Sequence, residues 1–209
     1  MKAIVFGATG GTGLAAVRAL IANGHQATAF VRSPDKLPAD LGAEIISGDV
    51  LDAAAVAAAI PGHDAVIVAL GATKRSKAAG EAGRVCATGT GHIITAMTAS
   101  GVKRLLVVTT LGLGNTGPQT PLLFKLVMKT ILKNQITDKR AQEALVMASG
   151  LDWTLVRPVG LSTKPGNGVW LLDRTKTRRM TIPRDDVGAA LAALAASHDH
   201  VGEAVIVSG

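Results

Sequence analysis

Residues 2–23, KAIVFGATGGTGLAAVRALIAN, constrain this chain more than any other segment. Residues 2–6 form a short apolar run bounded by glycine. Leu14, Val17, Ala19, Leu20 and Ile21 then recur at helical spacing before Asn23-Gly24, so the order is strand, tight turn, helix, helix stop. Gly7, Gly10, Gly11 and Gly13 fill the turn, with Thr9 and Thr12 among them. A turn that lets its backbone approach a ligand needs residues that accept unusual backbone angles, which favours glycine. The helix that follows presents unpaired N–H groups and a positive dipole end, and together these suit a phosphate.

The same alternation runs down the chain. Apolar strand patterns recur at 25–32, 43–49, 64–70, 103–110, 152–158 and 203–208, and helical patterns at 51–60, about 81–100, about 121–149 and about 185–197. About seven strands with helices between them predict an α/β fold, a three-layer, doubly wound parallel sheet with helices on both faces. The expected organisation is a single domain over 1–209. Stretches 111–120 and 160–181 are rich in Gly, Pro and polar residues and read as loops. Both follow strand ends, where open α/β sheets place ligand sites.

The end of the second strand discriminates between dinucleotides. An acidic residue there would hydrogen-bond a ribose 2′-hydroxyl and select NAD. This chain has Arg32, with Ser33 and Lys36 close behind. A guanidinium pairs with a 2′-phosphate and stacks on adenine, so NADP(H) is the expected cofactor; the alternative for Arg32 is an ordinary surface charge. Asp49 and Val50 follow the third strand, where Asp49 is placed either at the adenine edge or as a helix cap near Asp52. After the fourth strand, Leu70, Gly71 and Ala72 would pass under the cofactor.

The segments GATGGTG, VRSPDKLP, SGDVLD, DAVIVALG, GVKRLLVVTT, SGLDWTLVRP and IPRDDVGAAL together resemble the NmrA-like or NAD(P)H-binding atypical short-chain dehydrogenase/reductases. Among these the chain looks most like the biliverdin reductase B (flavin reductase) type. The resemblance spans nearly the whole chain and implies a Rossmann fold that holds NADP(H). Ordinary members of the wider superfamily use a Tyr-x-x-x-Lys pair for proton exchange; this chain has no tyrosine, so that chemistry is excluded. The resemblance puts Thr110, preceded by Thr109, at a hydroxyl position ending the fifth strand. It puts Gly160 where the related enzymes carry a histidine. It also implies that Lys139 lies near the nicotinamide ribose and that Pro158 and Val159 border the nicotinamide. From the residues alone, Thr109 and Thr110 also suit a strand end as β-branched residues, and Lys139 also reads as a solvent-facing charge four residues from Glu143.

Other features narrow the partners. A net charge of +7 favours anions of any kind. Three Phe, two Trp and no Tyr leave little material for base stacking, so nucleic acid is not expected. The longest apolar runs fall short of the roughly 20 residues that cross a bilayer, and no signal-peptide layout opens the sequence, so no transmembrane segment and a cytoplasmic location are expected. The lone Cys86 reads as a core residue, and the five histidines show no metal-ligand spacing. Lys125, Lys129 and Lys133 make one face of an amphipathic helix, and Arg174, Lys176, Arg178 and Arg179 crowd one loop. Two functions fit: an NADPH-dependent reductase of a flat, electron-poor small-molecule acceptor, with Thr110 and Lys139 as its catalytic candidates, or an NADP(H)-sensing regulator that uses the lysine helix against a protein partner.

Overall fold

The computed structural model describes residues 1–71, 84–116 and 133–209. Strands β1 (Lys2–Phe6), β2 (Gln26–Val31), β3 (Glu44–Ser47), β4 (Ala65–Val68), β5 (Arg104–Val108) and β6 (Asp152–Pro158) fall where the alternation predicts them. Three short strands follow, β7 (Gly160–Ser162), β8 (Leu171–Asp173) and β9 (Thr181–Pro183), and then β10 (Glu203–Ser208), the last strand the sequence predicts. The helices are α1 (Gly11–Ala22), α2 (Ala53–Ala59), α3 (Val85–Ser100), α4 (Lys133–Met147) and α5 (Arg184–Ala195).

Eight strands join in the order β3-β2-β1-β4-β5-β6-β10-β8, and β7 pairs with β9 separately. The first seven positions of the main sheet are parallel, and β8 runs antiparallel along the edge of β10. This corrects the expectation for 160–181: the stretch carries two strands and the start of a third, and it brings the main sheet to eight. Three-residue strands are too short to show a period of two, and the Gly, Pro and polar residues around them read as loop.

The unbroken apolar runs of the central strands reflect burial on both faces. Along β1, Ala3 and Val5 join a core with Val17 and Leu20 of α1 and Val187 and Leu191 of α5. Ile4 and Phe6 point the other way, into a core with Val56 of α2, Ile93 and Met97 of α3 and Val146 of α4. Full burial of each aliphatic side chain of this kind contributes roughly 1.5–3 kcal/mol. The result is the predicted three-layer Rossmann architecture.

On one face, α1 and α5 touch directly. A Cβ on Gly188 would lie 2.5 Å from the carbonyl carbon of Ala15, so only glycine permits this approach. The strand order reverses beside β1, whose neighbours are β2 and β4. At such a switch point the loops leaving β1 and β4 diverge to opposite faces and open a crevice at the carboxyl ends of the strands.

Candidate functional site

The glycine turn lies in that crevice. Gly7 has φ +87°, and a Cβ there would sit 2.6 Å from the Ala69 carbonyl oxygen. Gly13 is more tightly enclosed: its Cβ would be 2.3 Å from the Gly7 oxygen, so it packs the turn from beneath. Gly10 N–H donates to the Gly7 carbonyl at 2.9 Å, and the Leu14 N–H closes the first helical turn on the Gly10 carbonyl at 2.8 Å. The N–H groups of Gly11, Thr12 and Gly13 therefore find no acceptor among the described residues. No side chain caps this helix and no acid occupies its first turn.

A cleft of about 360 Å³ opens over the turn. Of the sequence-predicted residues it brings together Gly7, Thr9, Gly10, Gly11, Thr12, Arg32, Val50, Leu70, Gly71, Thr109 and Lys139. Ser33, Lys36 and Asp49 do not line it, and Ala72 lies outside the described residues. Lys36 belongs to a short turn of tight helix at Pro34–Lys36, with Ser33 before it. Arg32 faces Asp49 at 3.7 Å, and both side chains remain partly exposed. The helix cap in this region is Asp52, which accepts the N–H groups of Ala54 and Ala55. Asp49 instead accepts the Leu51 N–H at 3.0 Å.

The opposite wall comes from α4, whose Asp138, Lys139, Gln142 and Glu143 side chains are all engaged. Lys139 Nζ donates to the carbonyls of Leu70 and Val108, each at 2.8 Å, and to Gln142 Oε1 at 3.0 Å. It thus ties the ends of β4 and β5 together and is not the surface charge paired with Glu143 that its spacing also allowed. Glu143 is buried and receives Arg157 in a two-point ion pair, Nε to Oε1 at 2.9 Å and Nη2 to Oε2 at 2.8 Å. The Thr109 hydroxyl donates to the same carboxylate at 2.7 Å. One turn earlier on α4, Asp138 accepts the N–H groups of Cys86 and Ala87 and so caps α3 from another helix. Burial pushes the Cys86 thiol up to about 11, with the Asp138 carboxylate adding to the rise.

Next to the cleft is a second pocket of about 340 Å³, lined by Thr109, Thr110, Leu111, Pro158, Val159, Gly160, Leu161 and Met180. Thr109 and Leu161 border both spaces. None of these eight side chains is ionisable. Thr110 is partly exposed, and its hydroxyl donates to the Leu111 carbonyl at a long 3.3 Å. Position 160 has a structural reason to lack a side chain: a Cβ there would lie 2.9 Å from the Met180 carbonyl, which accepts the Gly160 N–H at 3.0 Å. A histidine at that point would separate β7 from β9.

Sequence reasoning did not single out Arg184, Glu143 as a buried anion, Arg157 or Asp138. Glu143 and Arg157 lie 14 residues apart, and Asp138 lies 52 residues from Cys86, so no local spacing signals either contact. Among the described residues no group of His, Cys, Asp or Glu is arranged to hold a metal, and no helix is long and apolar enough to cross a membrane. Lys125 and Lys129 lie outside the described residues, and so does the lysine face they make.

Three N–H groups at the start of α1 with no acceptor among the described residues, Arg32 and Arg184 in the cleft lining, and a glycine turn packed too closely against backbone to admit side chains at Gly7 and Gly13 form a donor set suited to a dinucleotide's phosphates. The family comparison agrees. The model of the NAD(P)H-binding family matches residues 7–198, and the chain belongs to that family. It is also similar to solved structures across their whole length. One is ChuY, an anaerobillin reductase from Escherichia coli, with 22% identity, a TM-score of 0.82, and coverage of 100% of this chain and 97% of that one. A short-chain dehydrogenase/reductase from Veillonella parvula in complex with NADP shows 16% identity and a TM-score of 0.82, covering 100% and 94%. A Rossmann-fold NAD(P)-binding family protein from Shigella flexneri shows 25% identity and a TM-score of 0.72, covering 99% and 92%.

Proposed function

We propose that this chain is an NADPH-dependent reductase whose acceptor is a flat, electron-poor small molecule of the flavin, quinone or tetrapyrrole kind. The observation that carries the reading is the pocket around Thr110, which shares Thr109 and Leu161 with the glycine-turn cleft and has no ionisable side chain among the described residues that line it. A bound reduced nicotinamide supplies hydride. The residues around it bind, orient and exclude water. Gly10, Gly11 and Thr12 hold the pyrophosphate, Leu70 and Gly71 form the floor, and Pro158 and Val159 border the nicotinamide. Of the two threonines that line the acceptor pocket among the described residues, Thr109 is held by Glu143, and Thr110 orients the acceptor. Lys139 acts through the carbonyls it holds, fixing the strand ends that bear Leu70 and Thr109. No described residue lining the pocket is a side-chain acid; the proton comes from water, which a flavin or quinone tolerates because stacking and proximity supply most of the rate. The similarity to an anaerobillin reductase supports a reductase reading.

Arg32 carries the preference for NADPH, and Asp49 tempers it by competing for the guanidinium. Arg32→Asp lowers NADPH affinity far more than NADH affinity, and equal effects on both would remove the assignment. The cell compartment proposed for this activity is the cytoplasm.

A second reading rests on Lys139. Its ammonium already has three acceptors, and a site whose lysine is committed to structure suits a protein that senses NADP(H) without turnover. Absorbance assays of NADPH oxidation against FMN, riboflavin, quinones and a tetrapyrrole separate the two. Saturable turnover that falls in Thr110→Ala supports the reductase, whereas tight binding with no turnover on any acceptor supports the sensor.

A further inference from the structure

Arg184 opens α5, and its side chain runs across the first turn of α1. A methyl group on Gly11 would come within 2.6 Å of Arg184 Cδ and 3.0 Å of its Nε. The register is set one turn deeper, where Gly188 rests on Ala15. Arg184 and Gly188 are four residues apart, as are Gly11 and Ala15. The packing that seats the second pair therefore lays Arg184 on Gly11. Arg184 lines the cleft with Gly10, Gly11 and Thr12. No hydrogen bond or ion pair engages it among the described residues. The two neighbouring carboxylates are occupied elsewhere: Asp185 accepts the Gly166 N–H, and Asp186 accepts those of Asn167 and Gly168.

A partly buried cation with no protein partner, held against three unpaired N–H groups, makes one anion site from two helices. We propose that Arg184 grips the pyrophosphate of the bound dinucleotide from the α5 side. This rests on the dinucleotide reading of the cleft and gives α5 a ligand-binding role that the reading does not require. Arg184 and Arg32 then divide the cofactor: Arg32 meets the 2′-phosphate that only NADPH carries, and Arg184 meets the pyrophosphate that every dinucleotide carries.

The test is calorimetric binding of NADPH, NADH and ADP-ribose to the wild type, Arg184→Gln and Arg184→Lys, with ligand-free melting curves to confirm that each variant is folded. Arg184→Gln is expected to weaken all three ligands by a similar factor, about tenfold, and Arg184→Lys to recover part of the loss. A loss confined to NADPH would move Arg184 to the 2′-phosphate and overturn the proposal, as would unchanged affinities for all three ligands in Arg184→Gln. Failure of the wild type to bind any of the three would overturn the dinucleotide reading itself, a result distinct from either.

Discussion

The two walls of the cleft treat their polar groups in opposite ways. On the glycine-turn side the N–H groups of Gly11, Thr12 and Gly13 and the Arg184 guanidinium have no acceptor among the described residues. On the α4 side Asp138 takes two N–H groups of α3, Lys139 has three acceptors, and Glu143 holds both Arg157 and Thr109. Buried polar groups are costly unless paired, whereas those at the open rim of a cleft can stay unpaired and so remain available to a ligand. Changes on the glycine-turn side should alter affinity with little effect on stability, and changes on the α4 side should do the reverse.

The largest effect is expected from Glu143→Gln. The side chains of Glu143 and Arg157 are 5% and 3% exposed, so loss of the carboxylate charge removes a two-point ion pair from a buried site. Breaking a pair of this kind costs about 3–5 kcal/mol, to be measured as a lower denaturation midpoint in urea. Dinucleotide affinity of the folded protein should change by no more than about twofold. A stable variant with much weaker NADPH binding would reverse the assignment of the two walls.

Gly10→Asp comes next, because it gives α1 the kind of cap that α2 and α3 already have. The backbone at Gly10, φ −80° and ψ 150°, is the extended conformation an N-cap aspartate adopts. A Cβ at position 10 would lie 3.2 Å from the Gly7 oxygen, so part of the gain from the cap is offset by a small shift of the turn, and the variant should stay within about 1 kcal/mol of the wild type. It should also lose about a hundredfold in affinity for NADPH and NADH alike, since a carboxylate then occupies the place of the pyrophosphate. Binding that survives this substitution would show that the helix N-terminus is not the phosphate site.

How far the sequence reveals each wall follows from the range of its contacts. The glycine turn is local: Gly7 to Gly13 span one strand end and one helix start, and the free N–H groups follow from a missing cap that can be read residue by residue. The central strands are legible for the same reason, since burial on both faces writes itself as short apolar runs, whereas β3 at the sheet edge is largely exposed. The α4 wall is long-range. Glu143 reads as one more charge in TDKRAQEAL, and only the folded chain puts it against Arg157 of β6. Thr109 and Thr110 look equivalent in VVTT, yet the first hydroxyl is engaged by Glu143 and the second faces the open pocket. Gly160 is an intermediate case: its departure from the related enzymes is visible in the sequence, but the reason is the Met180 carbonyl across β7 and β9.

The smallest effect sharpens the comparison most, because it concerns another helix N-terminus beside the cleft. Cys86 stands in the first turn of α3, where the helix dipole alone would favour a thiolate. Its pKa instead rises to about 11, first through burial, and the Asp138 carboxylate adds to the rise while Lys139 opposes it. Asp138→Asn keeps an acceptor oxygen but removes the charge, so it should cost about 1 kcal/mol of stability. It should also lower the Cys86 pKa, because one of the groups that disfavours the thiolate is gone. A lower pKa means a larger thiolate fraction at any pH beneath it, so the rate of alkylation by iodoacetamide should rise, with its pH midpoint moving below about 11. If the midpoint stays in place, burial alone governs the thiol, and the cap on α3 is a structural contact with no electrostatic reach toward the cleft.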